Sequence, residues 1–491
     1  MTTTLYPEIA HWQEKIVQYA REAGLRFTEV IFEVLDWKEM NVVAAYGGFP
    51  NRYPHWRFGM EYERISKSYE YGLSKIYEMV INNDPCYAYL LHSNSLVDQK
   101  MVMAHVYGHA DFFKNNVYFS HTNRRMIDEM GNHRTRIQQY ANKFGLDKVE
   151  DFIDRCMSID NLIDQHAPAI KRRAKIGRVE AEPVGPARIK SKDYLDPFVN
   201  PKKILDEQAK RAEADRLELQ KFPGQPERDV ILFLIENAPL ENWERDVLDM
   251  IREEAYYFAP QAQTKIMNEG WAAYNHSRIM TTRALTDAEV IDYADHHSGT
   301  MSSQVSLNPY KLGSELFRDI EERWNRGCFG KEYDDCDDIV ARKNWDKKLG
   351  GGRAKVFEVR RLYNDLTFID NFLTPEFCVQ QKMFSFSYAA SSGTYEIESR
   401  DFAKVKSKLL ESLTNAGHPV IEVTEANYRN RGELYLMHRA EGTPLKLDWA
   451  KEALKNIMAF WKRPAHLETI IDENRWLISA EGDEVVEKRI S

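Results

Sequence analysis

The chain has 491 residues, 43% of them hydrophobic and 12% aromatic, with a formal net charge of −9. That length supports two or three domains with their own cores, and the acidic balance argues against nucleic acid or an anionic membrane surface as the main partner. Five dispersed cysteines (Cys86, Cys156, Cys328, Cys336, Cys378) form no disulfide framework and suit a reducing cytoplasm. The first residues, MTTTLYPEIAHWQEKIV, carry no basic stretch followed by an apolar run, so no secretory leader is expected. The longest apolar run, VILFLI at 230–235, falls far short of the ~20 residues that span a bilayer.

In chain order, residues 8–35 read as a helix broken by Gly24. The three- and four-residue steps of Tyr62, Ile65, Tyr69, Leu73, Ile76 and Val80 predict a helix over 60–81, ended by Asp84-Pro85. CYAYLLHS is a short strand, and a helix follows from about Val97 to Phe113. Further helices are expected at 123–144 and 148–165. Residues 170–228 are rich in charge, Pro and Gly without apolar period, and read as an irregular excursion or linker carrying one exposed helix.

Order returns at 229. DVILFLIENA and LENWERDVLDMIREEAYYFAP are helices, the second closed by Pro260. QAQTKIMNEGWAAYNHSRIMTTRA is another. Gly270 inside it lowers helix propensity by ~1 kcal/mol against alanine, or allows another backbone to approach closely. Thr286 and Glu289 form a capping-box pattern. PYKLGSELFRDIEERWNRG is a helix stopped by Gly327.

The glycine cluster in DKKLGGGRAK, 346–355, reads as a domain boundary. Beyond it, strand and helix patterns alternate as β-α-β-β-α-β, the order of a ferredoxin-like split unit. The expected architecture is a mainly α N-terminal domain over 1–345, zincin-like if its histidines hold zinc, and an α+β ferredoxin-like domain over 355–491.

MAHVYGHADFF, residues 103–113, places His105 and His109 four apart on one helix face, the spacing of the metal ligands in H-E-x-x-H. The pair alone fits packed core histidines as well as a metal. The second clue is NEGWA, similar to the N-E-G-F-A segment in which one class of H-E-x-x-H enzymes carries its third zinc ligand, with Glu269 at the ligand position. His276 lies seven residues on and shares a face with Glu269 within ~20°. His105, His109, Glu269 and His276 are therefore the candidate metal ligands, with Zn²⁺ first and Fe²⁺ second.

Position 106 is valine, so a hydrolase here takes its base from elsewhere. Glu253 and Glu254, and also Glu61 and Glu63, are carboxylates to weigh, although each reads first as an ion-pair partner. Tyr256 and Tyr257 are candidates for stabilising an oxyanion, or simply pack. RYPHWRFG (52–59) is either a pocket lining or a Trp-anchored loop. His296 and His297 in DHHSG face different sides of a helix and make a poor chelate. No C-x-x-C, P-loop or G-x-S-x-G is present.

Four blocks, NRYPHWRFGMEYER, AHVYGHADFFKNN, REEAYYFAPQAQTKIMNEGWAAYNH and LDWAKEALKNIMAFWKRPAHLET, resemble the stage V sporulation protein R (SpoVR) family. The resemblance implies a cytoplasmic bacterial protein linked to the spore cortex, a peptidoglycan layer. It also implies partners: a serine protein kinase of the PrkA type and a von Willebrand A-like protein, whose genes commonly lie beside those of the family. It fixes no reaction. Three functions stay open: a metal-dependent hydrolase-like enzyme acting on amide or peptide bonds, with Glu254 and Tyr257 as catalytic candidates; a non-catalytic regulatory or scaffold protein acting with the kinase; and an iron oxygenase-like use of the same ligands.

Overall fold

The computed structural model describes residues 6–70, 78–170, 191, 195, 199–208, 210, 222–302, 307–389, 394–440, 443–482 and 484–490. The fold is mostly helical with a small mixed sheet near the C-terminus. The chain forms two compact units, Met1–Asp151 with Tyr256–Gly417, and Phe152–Ala255 with His418–Ser491. The glycine cluster at 350–352 lies inside the first unit. The helix it opens, Gly352–Leu362, buries Val356 and Val359 in that unit's core.

In the first unit, α1 (Pro7–Glu22) precedes a three-stranded sheet of β1 (Val30–Leu35), β2 (Glu78–Ile81) and β3 (Cys86–Leu91). Its order is β1-β3-β2, with β1 parallel and β2 antiparallel to β3. The helix predicted over 60–81 is described as Trp56–Glu70, residues 71–77 lie outside the described residues, and 78–81 are the strand β2. Val80, which fitted the helical period, instead pairs with Ala88 on β3, beside Met79 paired with Tyr89. Backbone pairing to a buried strand outweighs a local helical pattern.

From β3 the chain turns directly into α2 (Leu96–Asn115). Ser95 and Asp98 close its first turn reciprocally as a capping box. This helix is buried nearly all round, as expected of the centre of a helical core rather than of a surface helix. Around it pack α1, α3 (Lys265–Ile279), α4 (Val290–Met301) and the helix Gly352–Leu362, while α5 (Pro309–Arg326) packs on α3. Two small-residue contacts set the spacing. A Cβ on Gly108 would lie 2.6 Å from Ala272 Cα, and one on Gly270 would overlap the Gly313 backbone. Gly270 therefore lets the α3 and α5 backbones meet, the close approach that its place in a helix suggested.

Helix Asn242–Gln263 runs through Pro260 instead of stopping there. Among the described residues, no helix is long and apolar enough to cross a membrane.

The second unit holds a five-stranded sheet of β4 (Val420–Tyr428), β5 (Glu433–Arg439), β6 (Ala465–Ile471), β7 (Asn474–Glu481) and β8 (Glu484–Arg489). Its order is the chain order β4-β5-β6-β7-β8, and only β5 and β6 are parallel, joined by helix Leu447–Trp461. The strand expected in KMFSFSYAA, Ser385–Ala389, pairs with Thr394–Ser399 as a separate hairpin in the first unit. The C-terminal region is thus α+β, with a strand order different from the split β-α-β-β-α-β unit. Of the excursion read at 170–228, most lies outside the described residues; residues 202–208 are helical.

Candidate metal centre

Two helices build the site. On α2, His105 and His109 project from one face, their ring centroids 4.6 Å apart and their planes nearly perpendicular. On α3, Glu269 faces both: its Oε2 lies 3.4 Å from His105 Nε2 and 3.4 Å from His109 Nε2. These separations exceed a good N–H···O bond. They match the ~3.3 Å edge of a tetrahedron with metal–ligand bonds of about 2.0 Å. His105 Nε2 and Glu269 Oε2 are buried and have no hydrogen-bond partner. One ligand atom from each of the three residues lies within 4.8 Å of the other two. The donor set, two imidazoles and a carboxylate, is one that divalent zinc or iron accepts.

The remaining nitrogens are engaged. His109 Nδ1 lies 2.9 Å from Asn268 Oδ1, which can only accept, so Nδ1 carries the proton and the neutral ring keeps its lone pair on Nε2. His105 Nδ1 lies 2.8 Å from His276 Nδ1, and His276 Nε2 lies 3.2 Å from His297 Nδ1. His276 shares the face of Glu269, as the seven-residue spacing predicts, but it contacts the far side of His105 instead of joining the converging atoms. Tyr310 stacks on His105 at 5.9 Å and Phe113 on His109 at 6.0 Å, and the two rings fix the imidazole planes.

Burial and neighbouring charges act in opposite directions across the cluster. Burial alone would raise the Glu269 carboxyl, but His109 and His105 outweigh it and keep Glu269 well below the usual carboxylate range. Burial and the neighbouring His109 hold His105 down at about 4. His109 moves the other way: burial disfavours its charge, yet Glu269 and Asn268 raise it above its ordinary value. The pair Glu269–His109 thus favours a positive charge between them, the place a metal ion takes when it displaces a proton.

A cavity of about 100 Å³ opens on this cluster, lined by Glu78, Val102, His105, His276, Thr300 and Tyr310 among others. Burial pushes the Glu78 carboxyl up to about 7, with His109 opposing and Glu269 adding to the rise. Nothing in the local sequence singled out Glu78 or Tyr310, because each reaches the site from a remote element. His297 stood in plain view, but a pair of adjacent histidines reads as a poor chelate. The two do diverge: His297 meets His276, while His296 meets Asp98.

The other candidates lie elsewhere. Tyr257 is buried in a separate apolar cluster with Phe49 and Ile81, its hydroxyl donating to the Asn82 carbonyl at 3.2 Å. Burial raises its phenol far above the ordinary value. Glu254 is buried and belongs to the second unit, whereas the histidine–glutamate cluster belongs to the first. Glu61 pairs with Arg64 on an exposed helix surface. In RYPHWRFG, Tyr53 and His55 are buried while Trp56 is half exposed, so the loop is anchored by Tyr53 and not by its tryptophan.

Fold and site together define a largely helical protein organised round a buried His-His-Glu cluster, with a mixed-sheet unit near its C-terminus. The chain belongs to the SpoVR family: the family model described as SpoVR like protein matches residues 4–418. Uncharacterized protein YcgB of Escherichia coli (strain K12) is 30% identical over 458 residues, spanning 87% of this chain and 85% of its own. No solved structure matches.

Proposed function

We propose that the first unit is a metal-dependent, hydrolase-like catalytic unit acting on amide or peptide bonds, with His105, His109 and Glu269 holding one divalent ion, zinc first and iron second. The observation that carries this reading is the pair of 3.4 Å separations from Glu269 Oε2 to the two Nε2 atoms, with buried ligand atoms that no hydrogen bond satisfies. A three-ligand zinc site leaves a position at which water is acidified and a carbonyl polarised. The protein's part is to shape the cavity and to accept a proton. Glu78 lines that cavity and offers the carboxylate that position 106 lacks. Tyr310 lines the same cavity, with its hydroxyl engaged by Glu269. Peptide-bearing peptidoglycan precursors, which are made in the cytoplasm, are the substrate class in keeping with the cortex role implied by the family.

A second reading has one observation in its favour. Val106 is fully buried in the apolar core, so the helix that supplies the histidines supplies no base. On that reading the ion is structural, and the protein is a non-catalytic regulator working with a PrkA-type serine protein kinase and a von Willebrand A-like protein.

Metal analysis of the purified full chain tests the shared premise. One equivalent of zinc or iron is expected, falling below a tenth of an equivalent in His105→Ala. Full metal content in that variant would rule out this ligand set. Retained kinase co-purification by a metal-free, folded variant supports the scaffold reading over the catalytic one.

A further inference from the structure

We propose that His276 is the positioning residue for His105, and that a chain of three imidazoles, His105, His276 and His297, fixes which His105 nitrogen faces Glu269; this rests on the metal reading above. The Nδ1 atoms of His105 and His276 are 2.8 Å apart, so one carries a proton and the other accepts it. His276 Nε2 and His297 Nδ1, 3.2 Å apart, face the same choice one ring further on.

For neutral rings, two arrangements satisfy both contacts. In the first, His105 Nδ1–H donates to His276 Nδ1, and His276 Nε2–H donates to His297 Nδ1. His105 Nε2 then presents a lone pair. In the second, each proton sits one place along: His297 donates to His276 Nε2, His276 Nδ1–H donates to His105 Nδ1, and His105 Nε2–H needs an acceptor. The group facing it is Glu269 Oε2 at 3.4 Å, beyond the normal N–H···O range, and both atoms lack a hydrogen bond. A cation held between His105 Nε2 and Glu269 Oε2 requires the first arrangement, the one that leaves His105 ready to ligate.

Packing holds the chain in place. His276 is 3% exposed, and Tyr293 stacks on His297 at 5.5 Å while meeting His276 edge-on at 6.5 Å. Both His276 nitrogens are committed to neighbouring imidazoles, which gives this residue the task of orienting a ligand instead of being one. The adjacent pair His296–His297 acquires a purpose on this account: one ring ends the chain and the other turns to Asp98.

The test uses the metal-free full chain and zinc alone. Long-range ¹H–¹⁵N spectra of the zinc-loaded wild type should report the Nδ1–H tautomer for His105 and the Nε2–H tautomer for His276. Zinc affinity, measured by competition with a chelator, should fall roughly 10–100-fold in His276→Leu, the range for lost outer-shell partners. His276→Gln should recover most of it, since its amide oxygen accepts from His105 and its amide nitrogen donates to His297. An Nε2–H tautomer for His105, or unchanged zinc affinity in folded His276→Leu, overturns the proposal. If the wild type takes up no zinc, the metal reading fails and this proposal with it; zinc uptake with either contrary result overturns the imidazole chain alone.

Discussion

Val106 stands where an H-E-x-x-H helix carries its proton acceptor, and its side chain points into the apolar core beside Met103 and Tyr107. Restoring the motif by substitution would therefore not restore a base. Val106→Glu puts a carboxylate among apolar side chains with no partner, and burying an unpaired charge is among the few changes that cost more than ~4 kcal/mol. Urea unfolding should show a loss of that size or an unfolded variant. A stable Val106→Glu protein would mean that this face of α2 reaches solvent. At this scale, much of the site was legible. The four-residue step of His105 and His109 and the seven-residue step from Glu269 to His276 follow from 3.6 residues per turn, which holds wherever the helix is placed. Of the partners that reach in from other elements, Glu78 and Tyr310 leave no mark in the local pattern, and His297 shows only as half of a diverging pair.

The ligand helices depend on how their neighbours seat them. Gly270 faces Gly313, and a methyl group there would meet backbone, which cannot rotate aside. The gain of ~1 kcal/mol in helix propensity for Gly270→Ala is outweighed by overpacking, so a net loss of roughly 1–3 kcal/mol is expected, read as a lowered midpoint in thermal unfolding. The start of α3 is held by Asp365, which accepts from the backbone N–H groups of Ile266 (2.7 Å) and Met267 (2.8 Å). Burial lifts its carboxyl from 3.8 to about 7, against the pull of those two bonds. Between these values the unfolded chain has released this proton and the folded chain has kept it. Stability from this group therefore falls as pH rises from about 4 to 7 and levels off above. Asp365→Asn cannot titrate, so wild type should lose stability relative to the variant across that range in paired urea curves. A difference independent of pH would show Asp365 ionised throughout. The Pro260 helix shows the converse at the same scale. A proline in a helix interior removes one hydrogen bond at a cost of ~3 kcal/mol, which makes a stop the natural reading, yet here the helix continues to Gln263.

At the scale of the molecule, the chain enters the second unit twice, and each unit is assembled from two separate stretches. The first unit's core takes Val356, Val359, Phe368 and Phe372 from beyond residue 350. A fragment ending at 345 lacks them and should aggregate or remain protease-sensitive. A fragment ending at Gly417 keeps the first unit complete but strips the second of its sheet, leaving Phe152 without Phe460 and Phe233 without Trp461. Limited proteolysis of that fragment should cut within 152–255 and spare the histidine–glutamate cluster. Resistance of the 1–345 fragment would show that the glycine cluster does divide the core.

By itself, the sequence determined the helical character of the first several hundred residues, the α+β character of the C-terminal region, the family, and the three residues that converge at the candidate metal centre. These are written in local spacing, composition and long matching blocks, which do not depend on what lies across the fold. Only the tertiary structure decided that residues 78–81 are a strand, that the hairpin at 385–399 stands apart from the sheet, that Tyr257 packs in a core, and that His276 backs His105 instead of joining it. The reason is that each of these depends on which remote surface is opposite. Backbone pairing, burial and hydrogen-bond direction are set by the partner, and the partner is chosen when the chain packs.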